Sequence, residues 1–307
     1  MDILPSRQGF LKLPPEDAVG YDDARAVIVP FGLEASVSYG GGTSRGPQAM
    51  IDASPELELF DETLWCEPYR YLNLVTLPAL KRLETIAQTL DAAEAVIEQL
   101  LADGKFPMTF GGEHSITAGT IRPFARRYPD LAILHFDAHA DLRDGYMGEH
   151  YSHAAALRRC IDDDKVQGRG EHLTLVSCGI RNISASEIPF YEANKHRIHI
   201  YWGKDMAAWN VNEIVAHLRG RHVYLTFDVD GLDASLMSAT GTPEPGGLFW
   251  SDAMAIIRAA SEVCTIVGAD VNELAPIDGF HCYDFLAAKL AYKIMSYALY
   301  SSSTHDA

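Results

Sequence analysis

Three apolar runs in this chain each end in a knot of ionisable side chains, and few folds place such knots side by side. Residues 131–134 lead into His135-Phe136-Asp137-Ala138-His139-Ala140-Asp141. Residues 222–226 lead into Phe227-Asp228-Val229-Asp230-Gly231-Leu232-Asp233, and residues 106–110 into Gly111-Gly112-Glu113-His114-Ser115. On an extended backbone alternate side chains point the same way, so Asp137, His139 and Asp141 converge just past a strand's C-terminal end. Carboxylates this close repel and raise one another's pKa unless a cation neutralises them. A lone Asp-x-His would read as a turn or a satisfied polar pair. Asp228-x-Asp230 alone would read as a strand-end turn closed by Gly231. Three such knots together point to metal. His135 is expected to be a core residue on the opposite sheet face, away from Asp137.

Between these runs, strand-like and helix-like stretches alternate. Ala26–Pro30 is a short apolar run, and Gly46-Pro47-Gln48 opens a helix in which proline suits the first turn. Leu83, Ile86, Leu90, Ala93, Ile97 and Leu100 recur at helical spacing until Asp103-Gly104. Further strands are expected at 174–178, 197–201, 222–228 and 264–271. Helices are expected after Ser251, as a cap, and from Phe285 to about Tyr300. Alternation of this kind implies parallel strands joined by crossover helices. Ligands of such sheets bind beyond the strands' carboxyl ends, where the three knots fall. No linker, repeat or long charge run divides the chain, so one domain over 1–307 is expected. Residues 58–73 and 141–152 read as surface loops around a mouth.

The formal charge of −17 over 307 residues argues against nucleic acid and anionic membranes, and it tolerates cationic small molecules. Five scattered cysteines without a Cys-x-x-Cys pair suit reduced thiols in a cytoplasm. The start of the chain lacks a signal-peptide core, and no apolar run reaches membrane length.

Six candidate ligands emerge: His114, Asp137, His139, Asp141, Asp228 and Asp230. Four carboxylates with two imidazoles are too many for one tetrahedral zinc. Their charge balances two Mn²⁺ ions, and oxygen-rich donors suit that metal. A site of this kind lowers the pKa of water and turns it on an electrophilic carbon.

The motifs Gly-Gly-Glu-His-Ser, Phe-Asp-Ala-His-Ala-Asp and Phe-Asp-Val-Asp-Gly-Leu-Asp are similar to the three signatures of the ureohydrolases, the family of arginase and agmatinase. The resemblance runs from about Gly40-Gly41-Gly42-Thr43 to the C-terminal helix. It implies a three-layer α/β/α sandwich with a mainly parallel central sheet, and hydrolysis of a guanidinium group to amine plus urea. It also implies that the six residues above hold two Mn²⁺ per chain, and that the protein is a homotrimer or homohexamer. Glu273, in Asp270-Val271-Asn272-Glu273-Leu274, stands where the family's guanidinium-binding glutamate stands. A carboxylate there can accept paired hydrogen bonds from a planar guanidinium. His153 resembles the family's proton shuttle, with His150 as its rival. Asp141 joins Glu273 and His153 as a residue implied in catalysis. Aspartate is common in the family where Glu113 stands, a change expected to matter little because Glu113 is not a ligand.

The loop Leu142-Arg143-Asp144-Gly145-Tyr146-Met147-Gly148-Glu149 and the stretch Gly179-Ile180-Arg181-Asn182-Ile183-Ser184 look agmatinase-like rather than arginase-like. Asp144 and Glu149 would favour a cationic tail such as agmatine's. Arg143 would pair with a carboxylate tail, as in 4-guanidinobutyrate. Aminopropylagmatine, 3-guanidinopropionate and arginine stay as alternatives. A non-catalytic relative would lack some of the ligands, and a zinc deacetylase of related fold would need fewer.

Overall fold

The structure is a computed structural model that describes residues 1–166 and 172–300. Eight strands form one sheet: β1 Ala26–Phe31, β2 Val75–Thr76, β3 Phe106–Gly111, β4 Ala132–Phe136, β5 Thr174–Ile180, β6 Ile198–Trp202, β7 His222–Asp228 and β8 Thr265–Asn272. Their order is β2-β1-β3-β8-β7-β4-β5-β6, and every pairing described is parallel. Parallel neighbours require crossovers, so helices cover both faces and the central strands are largely buried, while the edge strand β6 is mostly half-buried. In β1, β3 and β4 every residue is buried.

Side-chain alternation divides the core into two layers. Ala26 and Ile28 of β1, with Leu134 and Phe136 of β4, pack against the helices Gly46–Ala53, Trp250–Val263 and Cys282–Leu299. Val27, Val29 and Ile133 face the other way, against the helix Ile86–Ala102 and against Phe124, Leu157 and Cys160. The result is the expected three-layer α/β/α sandwich.

Several expectations shift at the edges. The long helix starts at Ile86, because Thr85 and Gln88 cap each other (both 3.2 Å), and Leu83 stays outside it. Ser251 does not cap its helix. The helix begins one residue earlier, and Asp252 Oδ2 accepts from the Phe249 N–H at 2.9 Å. The last helix begins at Cys282, three residues before the expected start. The two-residue β2 is too short to leave a periodic signal. Residues 58–73 do not border the mouth of the site. They hold a short helix, Tyr69–Leu72, and pack on the C-terminal helix, where Tyr292 donates to Leu59 O at 2.8 Å and Lys293 meets Asp61 at 3.0 Å.

Candidate metal centre and its cavity

Four adjacent strands deliver the site. Phe110 of β3 is level with Val271 of β8, Val271 with Phe227 of β7, and Phe227 with Phe136 of β4. The segments that follow therefore leave the sheet at one height, and the three motifs meet there with Glu273. The glycine pair at the end of β3, Gly111 and Gly112, permits the crowding. A Cβ on Gly111 would stand 1.9 Å from Asn272 Oδ1, and one on Gly112 2.0 Å from Leu33 O.

Around His114 Nδ1 lie Asp137 Oδ2 at 3.1 Å, Asp141 Oδ2 at 3.2 Å and Asp228 Oδ2 at 3.4 Å. A ring nitrogen carries at most one hydrogen, so it cannot satisfy three oxygens. By geometry this buried nitrogen has no hydrogen-bond partner. Around His139 Nδ1 lie Asp230 Oδ2 at 3.0 Å and Asp137 Oδ1 at 3.5 Å. Asp137 thus lends one oxygen to each focus. The donor set of carboxylates and imidazoles fits metal cations, and the protein's own charges favour positive occupants. Burial opposes a charged His114, but Asp137, Asp141 and Asp228 raise its pKa well above the usual histidine value. His139 is pushed up to about 12, its burial outweighed by Asp230 and Asp137. Burial, then the charge of Asp137, pushes Asp141 up to about 7.

His135 corrects an expectation. It lies two residues before Asp137, and residues two apart on a strand share a face. It is fully buried beneath the site, with Nε2 2.8 Å from Asp137 Oδ2 and Nδ1 3.0 Å from Ser177 Oγ. Although it lies close enough to form a three-residue cluster with His114 and Asp137, both its nitrogens are engaged. It orients Asp137 rather than facing an ion.

A cavity of about 370 Å³ opens over these donors. His114, His139, Asp141, Asp228 and Asp230 reach its wall, while Asp137 lies beneath. Glu273 and His153 are on the same wall, as is Arg143, whose guanidinium sits 4.6 Å from the Tyr146 ring centroid. Glu273 Oε1 accepts from the His114 N–H at 2.7 Å. Burial, with Glu113 and Asp230 nearby, holds the Glu273 carboxyl well above the usual carboxylate range. Asp141 and Glu273 have positive φ, +51° and +66°, a strained state for residues other than glycine that is tolerated at functional sites.

Asp144, Glu149 and His150 are not brought to the cavity. Asp144 pairs with Arg159 and is otherwise exposed. Glu149 Oε1 accepts from the Tyr151 N–H at 2.9 Å. The His150 ring is engaged by the same Arg159, at 2.7 Å from Nε2. A single buried arginine thus draws Asp144 and His150 off the mouth. Sequence reasoning missed Glu187, which is on the wall and accepts from the N–H groups of Leu142 (2.8 Å) and Ser184 (2.6 Å). It also missed Ser38 and Tyr39 from the loop after β1, and Thr242 from the loop after β7. Only tertiary contact marks these residues.

The Arginase family model matches residues 24–297. An N(1)-aminopropylagmatine ureohydrolase from Synechocystis sp. is 34% identical over 93% of this chain and 92% of its own length. An agmatinase from Bacillus anthracis is 32% identical over 90% of this chain and 91% of its own. The structure of an agmatine ureohydrolase from Thermoplasma volcanium superposes with a TM-score of 0.80 at 29% identity, covering 92% of each chain. With the motifs assembled at one end of an all-parallel sheet, these matches show that the chain is an enzyme of the arginase family, the ureohydrolases.

Proposed function

We propose that this protein hydrolyses agmatine to putrescine and urea, using two Mn²⁺ ions per chain held by His114, Asp137, His139, Asp141, Asp228 and Asp230. The observation that carries the reading is the crowding of three carboxylate oxygens within 3.4 Å of His114 Nδ1, at the base of the cavity whose wall carries Glu273. When bound, such a metal pair lowers the pKa of water and makes it a nucleophile near neutral pH.

Glu273 binds and orients the substrate. Its Oε1 is fixed by the His114 N–H, so the carboxylate is aimed before the guanidinium arrives. A guanidinium brings the positive charge that draws this buried carboxyl into its ionised form. His153 moves the proton, from the water consumed to the departing amine nitrogen. Burial lowers its pKa, so the ring is neutral at rest and accepts before it donates. Asp141, in the loop that follows β4, holds its oxygen toward His114 with a positive φ.

Agmatine is favoured by the agmatinase-like loops, by the relatives' names and by a wall rich in carboxylates, to which Glu187 adds one. Asp144 and Glu149 no longer contribute to that choice. Aminopropylagmatine is the second reading, favoured by the 34% identical relative. Arg143 keeps 4-guanidinobutyrate in contention. Urea release over agmatine, aminopropylagmatine, arginine, 4-guanidinobutyrate and 3-guanidinopropionate tests the choice. Agmatine should give the highest kcat/KM, and a higher value for a guanidino acid would overturn it.

We further propose one domain assembled as a homotrimer or homohexamer in the cytoplasm. Family membership supports the assembly, and five unpaired thiols support a reducing compartment. No helix of the described residues is long and apolar enough to cross a membrane. Sedimentation of the purified chain as a monomer would overturn the assembly.

A further inference from the structure

We propose that Glu113 and Ser36 are positioning residues for His153, holding its ring with the hydrogen on Nδ1 and leaving Nε2 bare at the cavity wall. The inference rests on the reading of His153 as the proton carrier.

Glu113 precedes His114 in the first motif and has no solvent exposure. Its Oε2 accepts from the N–H groups of Ala35 at 2.6 Å and Ser36 at 2.7 Å. Its Oε1 accepts from the hydroxyls of Ser36 at 2.8 Å and Ser115 at 2.6 Å. Four donors saturate a buried carboxylate, and they tie the loop after β1 to the end of β3.

The single hydroxyl hydrogen of Ser36 is thereby committed to Glu113. Only lone pairs of Ser36 Oγ remain, and both neighbours on that side belong to His153: its backbone N–H at 2.9 Å and its Nδ1 at 3.2 Å. A hydroxyl with no hydrogen to give must accept, so Nδ1 supplies the hydrogen. Ser152 Oγ also lies near Nδ1, but at 3.4 Å, where a hydrogen bond is weak. A lone pair on Nδ1 would face the lone pairs of Ser36, which repel it. Nε2 then lies bare beside Ser38 Oγ at 3.4 Å, and both residues line the cavity.

The arrangement settles which nitrogen does the work. A neutral imidazole free in water populates both tautomers, and only one of them presents a proton acceptor to the cavity. When Nε2 takes a proton, the Nδ1 hydrogen keeps its acceptor, and the Glu113 carboxylate lies one hydroxyl away. When Nε2 releases that proton to the amine, the ring returns to the same tautomer. Ser36 therefore couples the first motif to the loop that carries His153, although neither Glu113 nor Ser36 lines the cavity.

Ser36→Ala deletes the bridging hydroxyl and keeps both backbone donors on Glu113 Oε2. It also removes the acceptor of the His153 backbone N–H, so the position of the ring hydrogen, which loop anchoring alone would not set, is the readout that tells the two roles apart. In the full-length chain, recorded without paramagnetic metal, ¹⁵N spectra of the His153 ring should show the hydrogen on Nδ1. Ser36→Ala should move it wholly or partly to Nε2. With Mn²⁺ bound, the same variant should lower kcat by about 10-fold at unchanged KM, a fraction of the general acid–base contribution. Ser36→Thr, which restores a hydroxyl, should recover both readouts. A wild-type ring with its hydrogen on Nε2, or a Ser36→Ala variant with tautomer and kcat unchanged, would overturn the proposal. If His153→Ala keeps kcat while Ser36→Ala moves the hydrogen, the positioning stands and the proton-carrier reading falls. If His153→Ala loses kcat while Ser36→Ala leaves the hydrogen in place, the positioning falls and the carrier stands.

Discussion

His135 Nε2 stands 2.8 Å from Asp137 Oδ2, beneath the carboxylate that faces both His114 and His139. Burial lowers the His135 pKa, so the ring is neutral and has one hydrogen to place between Asp137 and Ser177. A histidine in this position holds the angle of the Asp137 carboxylate while both its own nitrogens are engaged. Partners of this kind are worth roughly 10- to 100-fold in metal affinity. His135→Gln should therefore weaken Mn²⁺ binding by about that factor, measured by titration against a competing chelator. Unchanged affinity would return His135 to a packing role. Dialysis of the unaltered protein against chelator should abolish urea release, and Mn²⁺ should restore it better than Zn²⁺.

Glu273→Gln keeps the acceptor for the His114 N–H and loses only the charge. A buried guanidinium left without its anion should cost about 2–4 kcal/mol in kcat/KM, or roughly 30- to 1,000-fold. The loss should be alike for agmatine and for weaker substrates, because the guanidinium is common to them. Arg143→Ala should instead change the ranking, lowering activity toward guanidino acids relative to agmatine. Glu273 would prove to be a residue of the mouth if its substitution altered the ranking and left the best rate intact.

His153→Ala should lower kcat about 10²-fold with metal content intact, the usual scale for a general acid–base group. His150→Ala should leave kcat near wild type, since Arg159 engages that ring away from the cavity. Steady-state kinetics on both variants decides between them, and the reverse pattern would move the assignment to His150.

Asp233 closes the third motif and clasps the loop that brings Thr242 to the cavity. Its oxygens accept from the Ser235 N–H and hydroxyl and from the N–H groups of Gly246 (2.6 Å) and Gly247 (3.0 Å). The Ser235 hydroxyl, with these backbone donors, holds the Asp233 pKa down to about 2 from 3.8. A folded pKa below the unfolded one gives stability that is present above the unfolded value and lost as pH falls through the folded one. Solvent reaches this group, so the contribution is discounted to about 1 kcal/mol. Asp233→Asn should lower Tm by a few degrees at pH 7, and the gap should shrink as pH falls from 4.5 toward 2.5. A gap constant over that range would mean that charge plays no part in the clasp.

Local pattern in the sequence was enough for the sandwich and for naming the ionisable residues that crowd at its strand ends. Buried parallel strands must be apolar on both faces, and metal donors must follow a strand at short spacing, so both leave marks in adjacent residues. The alternation of Asp137, His139 and Asp141 needs no knowledge of the remaining chain. What lies between elements left no such mark. Whether Asp144 faces the substrate depends on Arg159, fifteen residues away, which captures it together with His150. Whether Glu113 matters depends on Ser36, which approaches from 77 positions earlier only because β1 and β3 are neighbours in the sheet. Glu187 reaches the cavity wall because the loops after β4 and β5 both hang on its carboxylate. A hydrogen bond leaves no trace along the chain when its two ends are brought together by the sheet order, and that order was decided by packing across the whole core.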